Sequence, residues 1–168
     1  MLFTKSFVCD VAWEHLARAF YSMYPSRHYP HVRDVHIIDH ELLPERGQLR
    51  VRRIGRVKYN LPSIVHYIAG PCVEYALLED SVVDLKTGSL SQNTIGLTMQ
   101  DCYTYRETAT LQQLQTGDTE YKSTIDFKVV GFGFFNYTLE AVASRVVAEF
   151  SKNDGVKKAI LEAAVSLD

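Results

Sequence analysis

Leu139-Glu-Ala-Val-Ala-Ser-Arg-Val-Val-Ala-Glu-Phe150, resumed after a polar patch by Val156-Lys-Lys-Ala-Ile-Leu-Glu-Ala163, is the longest periodic stretch in the chain. Leu139, Val142, Ala143, Val146, Val147 and Phe150, then Val156, Ala159, Ile160 and Ala163, recur at the spacing of one helix face. The reading is a C-terminal helix of about eight turns. Asn153-Asp-Gly155 is a point of possible interruption, because a helical glycine costs about 1 kcal/mol relative to alanine. A broad apolar face has to be buried, so Leu139, Val142, Val146 and Phe150 are expected in the core. Immediately upstream, Tyr121, Ser123, Ile125, Phe127 and Val129 alternate with Lys122, Thr124, Asp126 and Lys128. That is a strand with one buried face, joined to the helix through Gly131-Phe-Gly-Phe-Phe135, which reads as a bend.

Working outward, Leu2 to Val8 is strand-like and Asp10 is the expected N-cap of a short helix. Trp13, Leu16, Ala17, Phe20 and Tyr21 form its apolar face, and Tyr24-Pro25 closes it. His31–Leu43 and Gln48–Lys58 read as strands about a turn at 44–47. Leu61–Ala69 is uncharged, ends at Gly70-Pro71, and reads as a short helix or a lid-like loop. Strand signals return at Cys72–Val83, Ser89–Ile95 and Met99–Leu111, with a turn at 84–88. Strands in hairpin succession make an antiparallel sheet. The expected fold is therefore one α+β domain over residues 1–168: a curved antiparallel sheet of about seven strands around the long C-terminal helix. A strongly curved sheet leaves a hollow between its concave face and that helix.

The chain has 168 residues, 46% apolar and 23% charged, with a net charge of −2. A near-neutral balance argues against a nucleic-acid partner, which requires a basic footprint. Tyr59–Val73 is the longest run without Asp, Glu, Lys or Arg and is too short and broken to span a bilayer. The first ten residues have no leader pattern, so a soluble protein is expected. Cys9, Cys72 and Cys102 are far apart and odd in number, which predicts three free thiols and no cysteine metal site.

Arg46, Arg50, Arg52, Arg53, Arg56 and Lys58 crowd one segment. At period two, Arg50, Arg52, Arg56 and Lys58 share a face, and Arg53 shares the other with Val51, Gly55 and Val57. A guanidinium on an apolar face has to meet an anion. Two readings are open: a ligand phosphate, or a buried ion pair with Glu74, Glu79 or Glu107. Removing a phosphate ligand would leave the empty protein stable. Removing half of a buried pair would not. The six histidines lack metal spacing, and only His31, after Pro30 at a strand entrance, stands apart from ordinary surface positions. No nucleophile with its base and no phosphate loop is visible, so no enzyme and no cofactor are expected.

Three motifs carry a resemblance. Tyr24-Pro-Ser-Arg-His-Tyr-Pro-His-Val32, Leu61-Pro-Ser-Ile-Val65 and Glu79-Asp-Ser-Val-Val-Asp84 resemble, in order and interval, segments of the PRELI-like (slowmo) family. Ser26-Arg27-His28 replace that family's asparagine and proline after Tyr-Pro, and Met23 replaces a basic residue. Glu149 and Val156 stand where phosphatidic-acid carriers place lysines. The resemblance implies a PRELI/MSF1-like domain with a lipid-sized hollow and a short lid at Leu61, Ile64, Val65 and Ile68. It implies transfer of phosphatidic acid or phosphatidylserine between the outer and inner mitochondrial membranes, and a site in the intermembrane space or at the inner membrane. A small helical partner with twin Cys-x9-Cys motifs and transient contact with a membrane surface are also implied. Arg53, His31, Lys58, Asn153, Lys152 and Lys157 are the lipid-binding residues on this reading. The alternative role is an accessory subunit of an inner-membrane complex that reuses the fold.

Overall fold

The computed structural model describes residues 1–58, 74–101, 103–131, 133, 136–138, 140, 141, 144 and 155–166. Seven strands carry most of it: β1 (Leu2–Cys9), β2 (Val32–Leu43), β3 (Gln48–Val57), β4 (Tyr75–Asp84), β5 (Ser89–Gly96), β6 (Tyr103–Gln113) and β7 (Thr119–Val129). They form one sheet in the order β1-β7-β6-β5-β4-β3-β2, antiparallel throughout. Two helices are described in full, α1 (Trp13–Ser22) and α2 (Gly155–Val165). Residues 136–138, 140, 141 and 144 are also helical. Among the described residues no helix is long and apolar enough to cross a membrane.

The expected N-cap of α1 is corrected. Ala12 holds that position without a side-chain cap, and Asp10 lies in the bend before it. The chain is turned there by its tertiary contacts: Thr119 on β7 donates to the Val11 carbonyl at 2.8 Å. Trp13, Leu16, Ala17, Ala19 and Phe20 are buried on α1, and Ala159, Ile160, Ala163 and Ala164 on α2. Both faces close on Leu90, Leu111 and Tyr121 of the sheet to form the core. The expected core residues Leu139, Val142, Val146 and Phe150 lie outside the described residues, as do Leu61–Ala69, Cys72 and Cys102. Cys9 is free and buried.

Gly155 on α2 lies in a close approach to the α1–β2 connection. A methyl group there would lie 3.1 Å from Tyr29 Cε2 and 3.2 Å from the His28 carbonyl oxygen. Gly155→Ala is expected to lower the melting temperature by a few degrees. The helix-propensity gain of about 1 kcal/mol is outweighed by overpacking, which costs about 1–3 kcal/mol. Thermal unfolding followed by circular dichroism checks the sign.

The register orders the concave face into rows. The deepest, Leu49–Val83–Leu90–Leu111–Tyr121–Phe7, is apolar and lies in or against the core. The next is Val51–Ser81–Gln92–Ala109–Ser123–Lys5. A third is Arg53–Glu79–Thr94–Glu107–Ile125–Phe3. Moving along the strands, the inner face thus changes from hydrocarbon to hydroxyl and amide, and then to charge.

Candidate functional site

The third row begins with an ion pair. Arg53 is 2% exposed, and its Nε donates to Glu79 Oε1 at 2.6 Å across the β3–β4 ladder. Its Nη2 contacts the same oxygen but has no aligned acceptor among the described residues. The guanidinium lies 4.8 Å from the centre of the Tyr21 ring and 5.5 Å from that of Phe20, a cation–π arrangement. Its Nη1 donates to the Tyr21 carbonyl at 3.4 Å, in the last turn of α1. A cation at a helix C-terminus is favourable, so Arg53 ties α1 to the sheet. Tyr21 adds a 2.8 Å hydroxyl contact with Ser81. Of the two readings the sequence left open for Arg53, the fold realises the carboxylate pair, with Glu79. Burial pushes the Glu79 carboxyl above its ordinary range, partly offset by Arg53.

The outer face of β3 is solvent-facing. Arg52 donates to Asp80 at 2.6 Å, Arg56 to Asp34 at 2.9 and 3.0 Å, and Arg50 lies 3.7 Å from Glu41. The acidic residues come from register positions opposite or beside each arginine. These pairs are solvent-exposed and screened, so they add little to stability.

Between the concave face and the helices lies a cavity of about 120 Å³. Phe20 of α1 and its C-cap residue Met23, Val156 of α2, and Tyr24 and Tyr29 of the α1–β2 connection cover it. Its floor comes from Phe3 and Lys5 on β1, Glu79 on β4, Gln92 on β5, Tyr105 and Glu107 on β6, and Tyr121 and Ser123 on β7. Tyr105 donates to Glu107 Oε2 at 2.7 Å, and Ser123 donates to Glu107 Oε1 at 2.6 Å. Glu107 makes no ion pair among the described residues. Burial raises the Tyr24, Tyr29 and Tyr121 phenols, and the Glu107 charge adds to each shift. Gln92 donates to Thr94 at 2.7 Å, completing a polar floor.

The remaining residues singled out from the sequence do not converge on this floor. His31 is half-buried with its ring 5.0 Å from that of Tyr29, and its carbonyl accepts from the Lys58 amide at 2.7 Å. Lys157 on α2 projects over the Phe7 ring at 5.7 Å, against β1. Strands β7, β6, β5 and β4 separate β1 from β3, where Arg53 sits. Asn153, Lys152 and the lid residues Leu61, Ile64, Val65 and Ile68 lie outside the described residues. Glu107 enters the sequence reading only as a candidate partner of Arg53, although its alternation with Tyr103, Tyr105, Ala109 and Leu111 places a carboxylate on a largely inward face.

Burial pulls the His31 imidazole down to about 4 from its ordinary 6.5. The folded state then holds fewer protons than the unfolded state between those values, so stability falls as pH drops through that window. For a half-buried ring, discounted for solvent screening, the loss is about 1–2 kcal/mol. Urea midpoints at pH 7 and pH 4.5 should differ less in His31→Phe than in the parent chain. Glu79, raised rather than lowered, acts in the opposite sense as pH falls and is common to both proteins.

The sheet, its hollow and the C-terminal helix define the helix-grip class of α+β proteins. Over 100% of its length the chain superposes on the ZhuI aromatase/cyclase from Streptomyces sp. R1128, at a TM-score of 0.57 and 13% identity over 96% of that chain. It superposes over 99% on a START superfamily protein from Mycobacterium smegmatis, at 0.52 and 13% over 99% of that chain. At these identities the similarity is one of fold. Residues 14–166 match the PRELI-like family, and the chain belongs to it. Saccharomyces cerevisiae "Protein UPS2, mitochondrial" is 29% identical over 109 residues, 65% of this chain and 47% of that protein. The chain thus spans about half the length of that curated relative.

Proposed function

We propose that this chain is a non-enzymatic phospholipid carrier of mitochondria, acting between the outer and inner membranes. The observation that carries the reading is the hollow between the concave sheet face and the helices, in a member of the PRELI-like family. Phe3, Phe20 and Met23 offer it an apolar boundary, and Glu107 with its hydroxyl donors a polar floor. A ligand with a polar head and hydrocarbon chains suits that division: burying an acyl chain is worth about 0.8 kcal/mol per CH₂, whereas a buried head must be hydrogen-bonded. Release at a membrane requires an open state close in energy to the closed one. The mitochondrial setting rests on the relative's name. The small twin Cys-x9-Cys partner rests on the family resemblance, which also points to phosphatidic acid or phosphatidylserine as the family's cargo; the headgroup this chain prefers is set by the chemistry of its own floor.

The test is transfer of fluorescent phospholipids between donor and acceptor liposomes by the purified chain, alone and with such a partner. Transfer that grows with protein concentration and stops when the hollow is filled by a bulky substitution at Ser123 is expected. No transfer of any phospholipid class under either condition would remove the carrier reading.

A further inference from the structure

We infer that the floor of the hollow selects a zwitterionic phospholipid headgroup, its ammonium seated on Glu107 among the tyrosines. The inference rests on the carrier reading and names its cargo. Two carboxylates reach the cavity, and they are not equivalent. Glu79 is neutralised by the buried Arg53. Glu107 is held by two neutral hydroxyl donors and has no cationic partner among the described residues. Each donor occupies one oxygen of Glu107. A carboxylate has about four acceptor sites, so capacity for a charged N–H donor remains.

The walls suit a cation as well. Tyr24, Tyr29, Tyr105 and Tyr121 line the same space, and the electron-rich faces of aromatic rings attract ammonium groups. Among the described residues, the formal charges around the floor, Lys5, Glu79 and Glu107 with Arg53 behind Glu79, sum to zero. A headgroup that is itself neutral overall keeps that balance. A bare phosphate monoester brings at least one further negative charge beside two carboxylates, and like charges repel. Arg53 is already committed to Glu79. The volume of about 120 Å³ holds several waters' worth of ligand atoms, enough to seat a headgroup on the floor.

The experiment offers the full chain vesicles holding equal amounts of phosphatidylethanolamine, phosphatidylcholine and phosphatidic acid, then identifies the co-purifying lipid by mass spectrometry. The two ammonium lipids are expected to exceed phosphatidic acid at least tenfold in the bound fraction. When added to the mixture, phosphatidylserine, with an ammonium but a net negative charge, falls between them. Glu107→Gln should bring the ratio close to one, and Glu107→Asp should preserve most of it. Phosphatidic acid bound equally or preferentially overturns the inference while leaving the carrier reading intact. Glu107→Gln with an unchanged ratio overturns the assignment to Glu107. No lipid of any kind bound overturns both readings. The wild-type ratio decides the headgroup question even where a variant fails to fold.

Discussion

Replacing Arg53 with methionine is expected to destabilise the protein by about 3–5 kcal/mol, because it strands a buried carboxylate. Glu79 is 12% exposed and takes its charged hydrogen bond from Arg53. Without it, Glu79 must protonate or draw water into the core. The Tyr21 carbonyl at the end of α1 loses a donor, and the Phe20 and Tyr21 rings lose a cation. For a domain of this size, that loss lowers the melting temperature by roughly 10 °C. Adding Glu79→Gln should recover a large part of it, since the second change removes the charge left unpaired. Urea unfolding of both single variants and the double variant measures the coupling. A single variant that melts within a degree or two of the parent would show that Arg53 is not a structural residue. On the phosphate reading that the sequence also allowed, such a variant would keep its stability and lose lipid.

Ile160→Ala is the second large effect. Ile160 is fully buried on α2, in one cluster with Trp13, Leu16 and Phe20 of α1 and Leu90 and Leu111 of the sheet. Removing three carbons from such a site costs about 2–5 kcal/mol, with the upper end reached where neighbours cannot collapse into the gap. Here the neighbours belong to three separate elements, so collapse in one direction opens space in another. Because α2 also supplies Val156 to the hollow, the variant should weaken ligand retention beyond its loss of stability. Denaturant midpoints and lipid retention measured on the same preparation separate the two effects.

How much of this was visible in the sequence depends on the length scale of each feature. The strands were legible because alternation is local: Val51, Arg53 and Val57 turn inward and Arg50, Arg52 and Arg56 outward, as period two requires. The boundaries shifted by a few residues where turn chemistry decides them. Cys72–Val83 became Tyr75–Asp84 in the described residues, and Met99–Leu111 became Tyr103–Gln113. The rows across the sheet were not legible. They depend on register, which is set hairpin by hairpin through turns such as 85–88. There the Asp84 carboxylate accepts from the Lys86 and Thr87 amides, and Gly88 takes a positive φ of 60°. One residue of slip at that turn would turn β5 over relative to β4 and take Thr94, and with it the link to Glu107, out of line with Glu79.

The candidate site was half legible for the same reason. Arg53 stood out because its own strand gave it apolar neighbours, and both possible partners could be stated. Choosing between them required knowing that Glu79 lies opposite it. Glu107 drew attention only as one of three possible carboxylate partners of Arg53. Its meaning comes from Ser123 on β7 and Tyr105 on its own strand, which converge on it only in three dimensions. The expected lipid-binding set of Arg53, His31, Lys58, Asn153, Lys152 and Lys157 comes from the family resemblance. In the fold, Arg53 pairs with Glu79 while Lys157 packs over Phe7 at the β1 edge. The polar floor is built instead from residues on β4 to β7 and β1.

Native mass spectrometry of the purified chain after incubation with mixed phospholipid vesicles shows whether the hollow takes up a lipid. The expected result is a species heavier than the bare chain by the mass of one phospholipid, which disappears when Ser123 is replaced by tryptophan to fill the hollow. Only the bare chain at every vesicle concentration, with the protein folded by circular dichroism, would contradict it.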